Sequence, residues 1–162
     1  MSGQDHKGQE PVNPRIFPLP PIVLLLFIAA GIGLQRLVPI GGGEPAAESV
    51  IAGNALMAIA FVIAILGARE MMKARTTIHP GGSASALVTS GIYRGTRNPM
   101  YLSFLFFIIG LGLAVANPWM ILLAPLLFVY VQERIIKREE GYLTQRFGPE
   151  YLAYKQRVRR WF

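Results

Sequence analysis

The chain has no cysteine, two histidines and little charge. Each shortage excludes a class of chemistry. Without cysteine there is no disulfide, no thiolate metal site and no cysteine nucleophile. His6 sits in a proline-rich leader and His79 is the only other histidine, so no metal site is expected. Charged residues make up 15% of the 162 and hydrophobic residues 52%, whereas an ordinary soluble domain is about 25% charged. Acidic residues are scarcest, 9 against 16 basic, for a net charge of +7. Such a balance could serve nucleic acid, but here the basic residues flank apolar runs. Attraction to anionic membrane lipid is the plainer account, and no nucleic-acid partner is expected.

Long apolar runs are what the chain does have. Residues 22–37, 50–68 and 100–131 hold almost no charge, Arg36 being the exception. A membrane helix takes roughly 17–25 apolar residues, so the first two runs fit one helix each and the third fits two. Charge between the runs is lopsided. Segment 69–98 carries Arg69, Lys73, Arg75, Arg94 and Arg97 against Glu70, and segment 133–162 carries eight basic residues against four acids. The connection 41–49 carries Glu44 and Glu48 and no basic residue. The positive-inside rule then places both termini and the 69–98 loop in the cytoplasm, in keeping with four spans. The first run could instead be a signal-peptide core with a loose cleavage site at Pro45-Ala46-Ala47, but the mixed-charge, proline-rich residues before it suit a cytoplasmic tail better.

The expected fold is an all-α integral membrane protein with four transmembrane helices and a cytoplasmic amphipathic helical C-terminal tail. Residues 1–20, with four prolines, read as a disordered cytoplasmic leader and 21–162 as one membrane domain. The first helix is expected over 21–37 and the second over 47–74. Asn98-Pro99 and Asn117-Pro118 start the third and fourth, asparagine as N-cap and proline at the first helical position. The link between these two is so short that they form an antiparallel hairpin, and Pro125 should kink the fourth helix. In the tail, Leu143, Phe147, Tyr151, Tyr154 and Val158 recur at helical spacing, and Gly148-Pro149 should divide it into two short helices lying back on the span ends. Gly31, Gly33, Gly110 and Gly112 permit close helix packing within or between chains.

The hairpin brings Tyr93, Arg94, Arg97, Asn98 and Tyr101 beside Arg138, Glu139 and Glu140. Each has an ordinary explanation when taken alone: a helix cap, positive-inside anchors, interfacial tyrosines, a solvated acidic face. Together they form a set that can hold a zwitterion, since arginine forks a carboxylate and glutamate accepts from an ammonium. S-adenosyl-L-methionine is such a molecule.

The order Leu87-Val-Thr-Ser-Gly-Ile-Tyr93, Arg97-Asn-Pro-Met-Tyr101, Glu139-Glu140, Phe147-Gly148 and Tyr151-Leu-Ala-Tyr154 resembles the membrane methyltransferases, the superfamily of isoprenylcysteine carboxyl methyltransferases and phospholipid N-methyltransferases. The similarity covers roughly residues 69–162, which would then be the cofactor-binding part. The resemblance implies an S-adenosylmethionine-dependent methyltransferase. It places Leu87, Val88, Tyr93, Asn98, Pro99 and Tyr101 against the cofactor, with His79 loosely aligned nearby. Glu139 is expected to hold the methionyl amino group. Arg97 would orient a substrate or cofactor carboxylate, and Glu140 would help or orient Arg97. If the acceptor must lose a proton, Glu140 and Tyr101 are the nearest candidates to take it. Two positions depart from the pattern. Asn98 stands where the family usually has histidine, and asparagine is no base near neutral pH. Ile135 stands where the isoprenylcysteine enzymes carry a substrate-binding arginine, with Arg134 one residue away. Both argue mildly against a prenylcysteine carboxylate.

The implied partner is a lipid-like or small hydrophobic acceptor (a phospholipid amine, a prenylcysteine-like carboxylate or a thiol). It would enter from the bilayer, with the cofactor entering from the cytoplasm. The expected location is the inner, cytoplasmic membrane. From a different class, a non-catalytic scaffold or transporter subunit using the basic loop and tail for lipid attachment would share the composition but would not bind the cofactor.

Overall fold

Proline opens three of the four apolar helices. Its fixed φ and missing N–H suit a first helical turn, where that N–H has no acceptor in any case. The computed structural model describes residues 19–41, 43–75 and 84–161, and among these there is no strand. Helix α1 is Pro20–Leu37 and α2 is Ala47–Lys73; α3 is Pro99–Ala114 and α4 is Pro118–Tyr130. Where α2 lacks an opening proline it has Glu48 in its first turn and Lys73 in its last, the arrangement that the helix dipole favours. A short 3-10 turn, Gly91–Arg94, precedes α3. Nearly all of the leader and His79 lie outside the described residues.

Helix α4 does not stop at its apolar end. It passes through a π-helical turn, Val131–Ile136, directly into α5, Lys137–Arg157. The expected division of the tail is present, because Gly148 adopts φ +49° and kinks α5 just before Pro149. Tyr151 and Tyr154 of the expected stripe are buried, and Leu143, Phe147 and Val158 half-buried. Pro125 lies inside α4 and is exposed.

Helices α1 and α2 follow one another in sequence but dock on opposite partners. Helix α2 lies along α3, α3 against α4, and α4 against α1. The core runs through Val23, Tyr101, Ile108, Met120, Ala124, Leu127, Val131, Ile135 and Ile136. Leu25, Leu26, Ile51, Phe61, Val62, Ile65, Leu122 and Leu126 face outward. Three helical stretches are long and apolar enough to cross a membrane: Pro20–Leu37, Ala47–Lys73 and the run beginning at Pro118. Helix α3, with 16 residues, is about 24 Å long at about 1.5 Å per residue, somewhat short of a hydrocarbon core of about 30 Å. The protein is an all-helical integral membrane protein.

Lipid is as apolar as leucine, so burial does little to hold such helices together, and close backbone approach matters more. A Cβ built on Gly53 would lie 2.5 Å from the Gly110 carbonyl oxygen, and one on Gly110 would lie 2.8 Å from that of Gly53. Of the glycines expected to pack closely, Gly31, Gly110 and Gly112 do so, while Gly33 has nothing within 4 Å. Gly53 was not expected. Gly53→Leu should force α2 off α3 and destabilise the protein by about 1–3 kcal/mol or more, read as a lower thermal midpoint in detergent. Gly33→Leu should leave that midpoint nearly unchanged.

The two asparagine caps differ. Asn117 behaves as expected, its Oδ1 accepting from Met120 N at 3.3 Å while its Nδ2 donates to the Gly31 carbonyl at 3.2 Å. Asn98 occupies the N-cap position of α3 but its side chain makes no cap hydrogen bond. It donates instead to the carbonyl of Arg160 at 3.0 Å, because the terminal segment lies across that end of the helix and leaves a carbonyl to be satisfied.

Candidate functional site

The π turn decides which residues of α5 face inward. Ile135 and Ile136 close it and are almost fully buried. Residues four apart share a helix face, so Glu139 and Glu140 continue the inward face of Ile135 and Ile136. The start of α3 meets them there. The Tyr101 hydroxyl, on the first turn of α3, donates to Glu139 Oε1 at 2.6 Å. Among the described residues this is the one hydrogen bond recorded for that carboxylate. Glu139 as a whole is half-buried, yet its carboxyl is desolvated. Burial pushes it up to about 7, with the Tyr101 hydrogen bond pulling the other way. Tyr93, buried on the 3-10 turn, lies within reach of the Glu139 charge.

Glu140 has the opposite environment. Arg160 forks it, Nε to Oε1 at 2.9 Å and Nη2 to Oε2 at 2.7 Å. Arg97 Nη1 adds an ion-pair contact to Oε1 at 3.1 Å. Burial opposes ionisation of Glu140, but the Arg160 hydrogen bonds and the charges of Arg97 and Arg160 overcome it and hold the carboxyl below the usual carboxylate range. The Arg97 side chain is 9% exposed. Its Nε is buried with no hydrogen-bond partner among the described residues, and Nη1, although near Glu140, is not aligned for a hydrogen bond. Tyr151 is buried within reach of both carboxylate charges, its phenol pushed up to about 12 by burial and by the Glu140 charge.

Several contacts hold the loop before α3. Glu70, on the last turns of α2, accepts from the Ser90 hydroxyl at 2.5 Å. Gly91 has φ +56° and its Cα presses on that same carboxylate, so a Cβ there would meet Glu70 Cδ at 2.5 Å. Tyr142 accepts from Ala84 N at 3.0 Å, and Tyr154 donates to the Tyr93 carbonyl at 2.7 Å. The terminal segment completes the enclosure. The Arg159 carbonyl accepts from Arg97 N at 3.1 Å and the Arg160 carbonyl from Thr96 Oγ1 at 3.1 Å. Trp161 packs on Phe128 and donates to Gln132 Oε1 at 3.0 Å.

Of the residues singled out in the sequence, Tyr93, Arg97, Tyr101, Glu139 and Glu140 gather at this end of the bundle. Pro99 is buried at the start of α3, and Leu87 and Val88 are half-buried on the segment between Ala84 and Ser90. Arg134 is exposed on the π turn beside buried Ile135. Glu140, held by two guanidinium groups, is poorly suited to take a proton. Glu70, Thr96 and Arg160 were not foreseen, and Tyr151 was expected only in the tail's stripe and in the family pattern. Glu70 and Arg160 entered the sequence reading only in the charge count of the segments flanking the apolar runs, and their tertiary partners are what distinguish them.

A sequence profile described as phospholipid methyltransferase matches residues 49–150. The chain belongs to this family. Among its relatives, protein-S-isoprenylcysteine O-methyltransferase B of Arabidopsis thaliana is 34% identical over 110 residues, 67% of this chain and 53% of that protein. The protein-S-isoprenylcysteine O-methyltransferase of Saccharomyces cerevisiae is 36% identical over 80 residues, 47% of this chain and 32% of the yeast protein. An uncharacterized protein of Haemophilus influenzae is 40% identical over 62 residues, 38% of this chain and 98% of its own length. The chain thus spans about half or less of the isoprenylcysteine enzymes that it matches. No solved structure matches it. The matched region takes in nearly all of α2, the loop, the hairpin and the Glu139–Glu140 face, whereas Tyr151, Tyr154 and the segment 158–161 lie beyond it.

Proposed function

We propose that this protein transfers a methyl group from S-adenosylmethionine to a lipid-like acceptor, with the cofactor on the face formed by the start of α3 and the start of α5. The single observation that carries this reading is the charge arrangement. A desolvated carboxylate, Glu139, has one donor, while a buried guanidinium, Arg97, has an unpartnered Nε. An amino acid end supplies an ammonium for the first and a carboxylate for the second, so the residues present fit the group. Tyr93 and Tyr101 would flank the cofactor, with Leu87, Val88, Asn98 and Pro99 lining it. When bound, it supplies an activated sulfonium methyl. The chain's own residues position the reactants, which can contribute on the order of 7–11 kcal/mol to lowering the barrier.

The four-span topology belongs to the same reading, with α3 as the short fourth span and both termini and the site in the cytoplasm. The isoprenylcysteine relatives support a prenylcysteine-like acceptor. Ile135 brings no charge to where those enzymes carry an arginine, so any carboxylate of the acceptor must find its partner elsewhere, with exposed Arg134 the nearest candidate. An acceptor that has to lose a proton would release it to water rather than to Glu139, which this reading commits to the ammonium, or to Glu140, both of whose oxygens face guanidinium groups.

The test is incubation of the purified full-length protein with methyl-labelled cofactor and a membrane extract. Label should appear in the lipid-soluble fraction, and its absence in every fraction overturns the reading. Cofactor affinity should also depend on pH through Glu139. The carboxylate form is the binding form and the free-protein value is about 7, so affinity should rise from pH 6 to pH 7.5, changing by up to about tenfold for each pH unit below that value. Glu139→Gln should flatten the profile in calorimetric titrations.

A further inference from the structure

We infer that Arg160 is a positioning residue which, by occupying Glu140, keeps Arg97 free to bind the carboxylate of the cofactor. The inference rests on the methyl-transfer reading above and goes beyond it. A carboxylate has two oxygens and an arginine fork matches both. Arg160 takes both oxygens of Glu140, leaving Arg97 only an off-line contact to that carboxylate through Nη1; the Tyr151 side chain also interacts with the Arg97 guanidinium, while its Nε and Nη1 have no hydrogen bond among the described residues. Without Arg160, Arg97 could fork Glu140 itself, and its buried donors would be satisfied inside the protein.

The same segment also fixes the backbone around Arg97. The carbonyl of Arg159 holds its N–H, and that of Arg160 holds Thr96 Oγ1 and Asn98 Nδ2, one residue to either side. Main-chain contacts from 159–160 therefore hold residues 96–98, and the Arg160 side chain holds the carboxylate that faces the Arg97 guanidinium. The electrostatics point the same way. Two guanidinium charges face one carboxylate, so the Arg97–Glu140–Arg160 cluster carries an excess positive charge. The Arg97 and Glu140 side chains are 9% and 10% exposed. Although the Arg160 side chain is 29% exposed, a positive excess around buried Arg97 favours an anionic group on the ligand, and the amino acid carboxylate is that group.

The experiment compares the affinities of S-adenosylmethionine and decarboxylated S-adenosylmethionine for the full-length protein in detergent by calorimetry. The unaltered protein should prefer the carboxylate-bearing ligand by about tenfold or more, the range of a hydrogen bond to a charged group. In Arg160→Gln that preference should collapse towards parity, through loss of affinity for the carboxylate-bearing ligand alone. Arg160→Lys, which keeps the charge without the fork, should restore part of it and serves as the comparison if the glutamine variant does not fold. A merely structural role would weaken both ligands equally and leave their ratio unchanged, and that result overturns the inference. Failure of S-adenosylmethionine itself to bind the unaltered protein overturns the methyl-transfer reading, and this inference with it.

Discussion

Glu139→Gln is expected to lower affinity for S-adenosylmethionine by about a hundredfold, the upper range for hydrogen bonds to a charged group, while leaving the protein no less stable. The first half follows from the proposed role. Glutamine keeps the size and can still accept from Tyr101, but it cannot offer a charge to an ammonium. The second half follows from the burial. In the folded protein the carboxyl is pushed up to about 7, above its value in an unfolded chain. The unfolded state therefore releases its proton at lower pH, and the folded state binds more protons in between. Stability contributed by this group is present at low pH and falls as pH rises towards 7. The glutamine variant lacks that decline, so at pH 8 it should melt at the same temperature as the unaltered protein or higher. Loss of binding with no loss of stability marks a group kept for a ligand. A variant that binds as tightly as the parent removes Glu139 from the site.

Much of this was legible in the sequence. The first helix was expected over 21–37 and the second over 47–74, and they run Pro20–Leu37 and Ala47–Lys73. Apolar runs and proline starts are local signals that no tertiary contact overrides. The hairpin followed from one short link, and with it the meeting of Tyr101 and Glu139. What escaped was tertiary. Asn98 looked like a cap because asparagine before proline usually is one, but a passing carbonyl of Arg160 claimed its amide. Main-chain acceptors leave no trace in a pattern of side chains, so the strap formed by Val158 to Trp161 could not be read. Gly53 was one glycine in an apolar run until Gly110 was placed against it. The π turn was equally hidden, although it sets the register in which Glu139 and Glu140 face inward.

The Glu140→Gln variant should lose stability on the order of 3–5 kcal/mol, the range for removing one partner of a buried ion pair. Its carboxylate is the common partner of Arg97 and Arg160. Neutralising it leaves two like charges facing each other, one of them on a side chain 9% exposed. The strap should then detach. Trp161 packs on Phe128 beside Gln132, and the chain has only one other tryptophan, Trp119. In a Trp119→Phe background, emission from Trp161 should shift to the red in the Glu140→Gln variant at temperatures where the parent is still folded. Acid should imitate the substitution in the parent. Glu140 is held below its usual range, so its contribution is complete above the unfolded carboxyl value and disappears as pH falls through the lowered folded one. The variant should not show that acid limb. Adding Arg160→Leu to Glu140→Gln should recover part of the loss, because one of the stranded charges goes with it, and the non-additivity measures their coupling. If the double variant is less stable than Glu140→Gln by the full cost of the Arg160 change alone, the two residues act independently. The terminal strap would then be held by its backbone contacts and by Trp161, not by the ion pair.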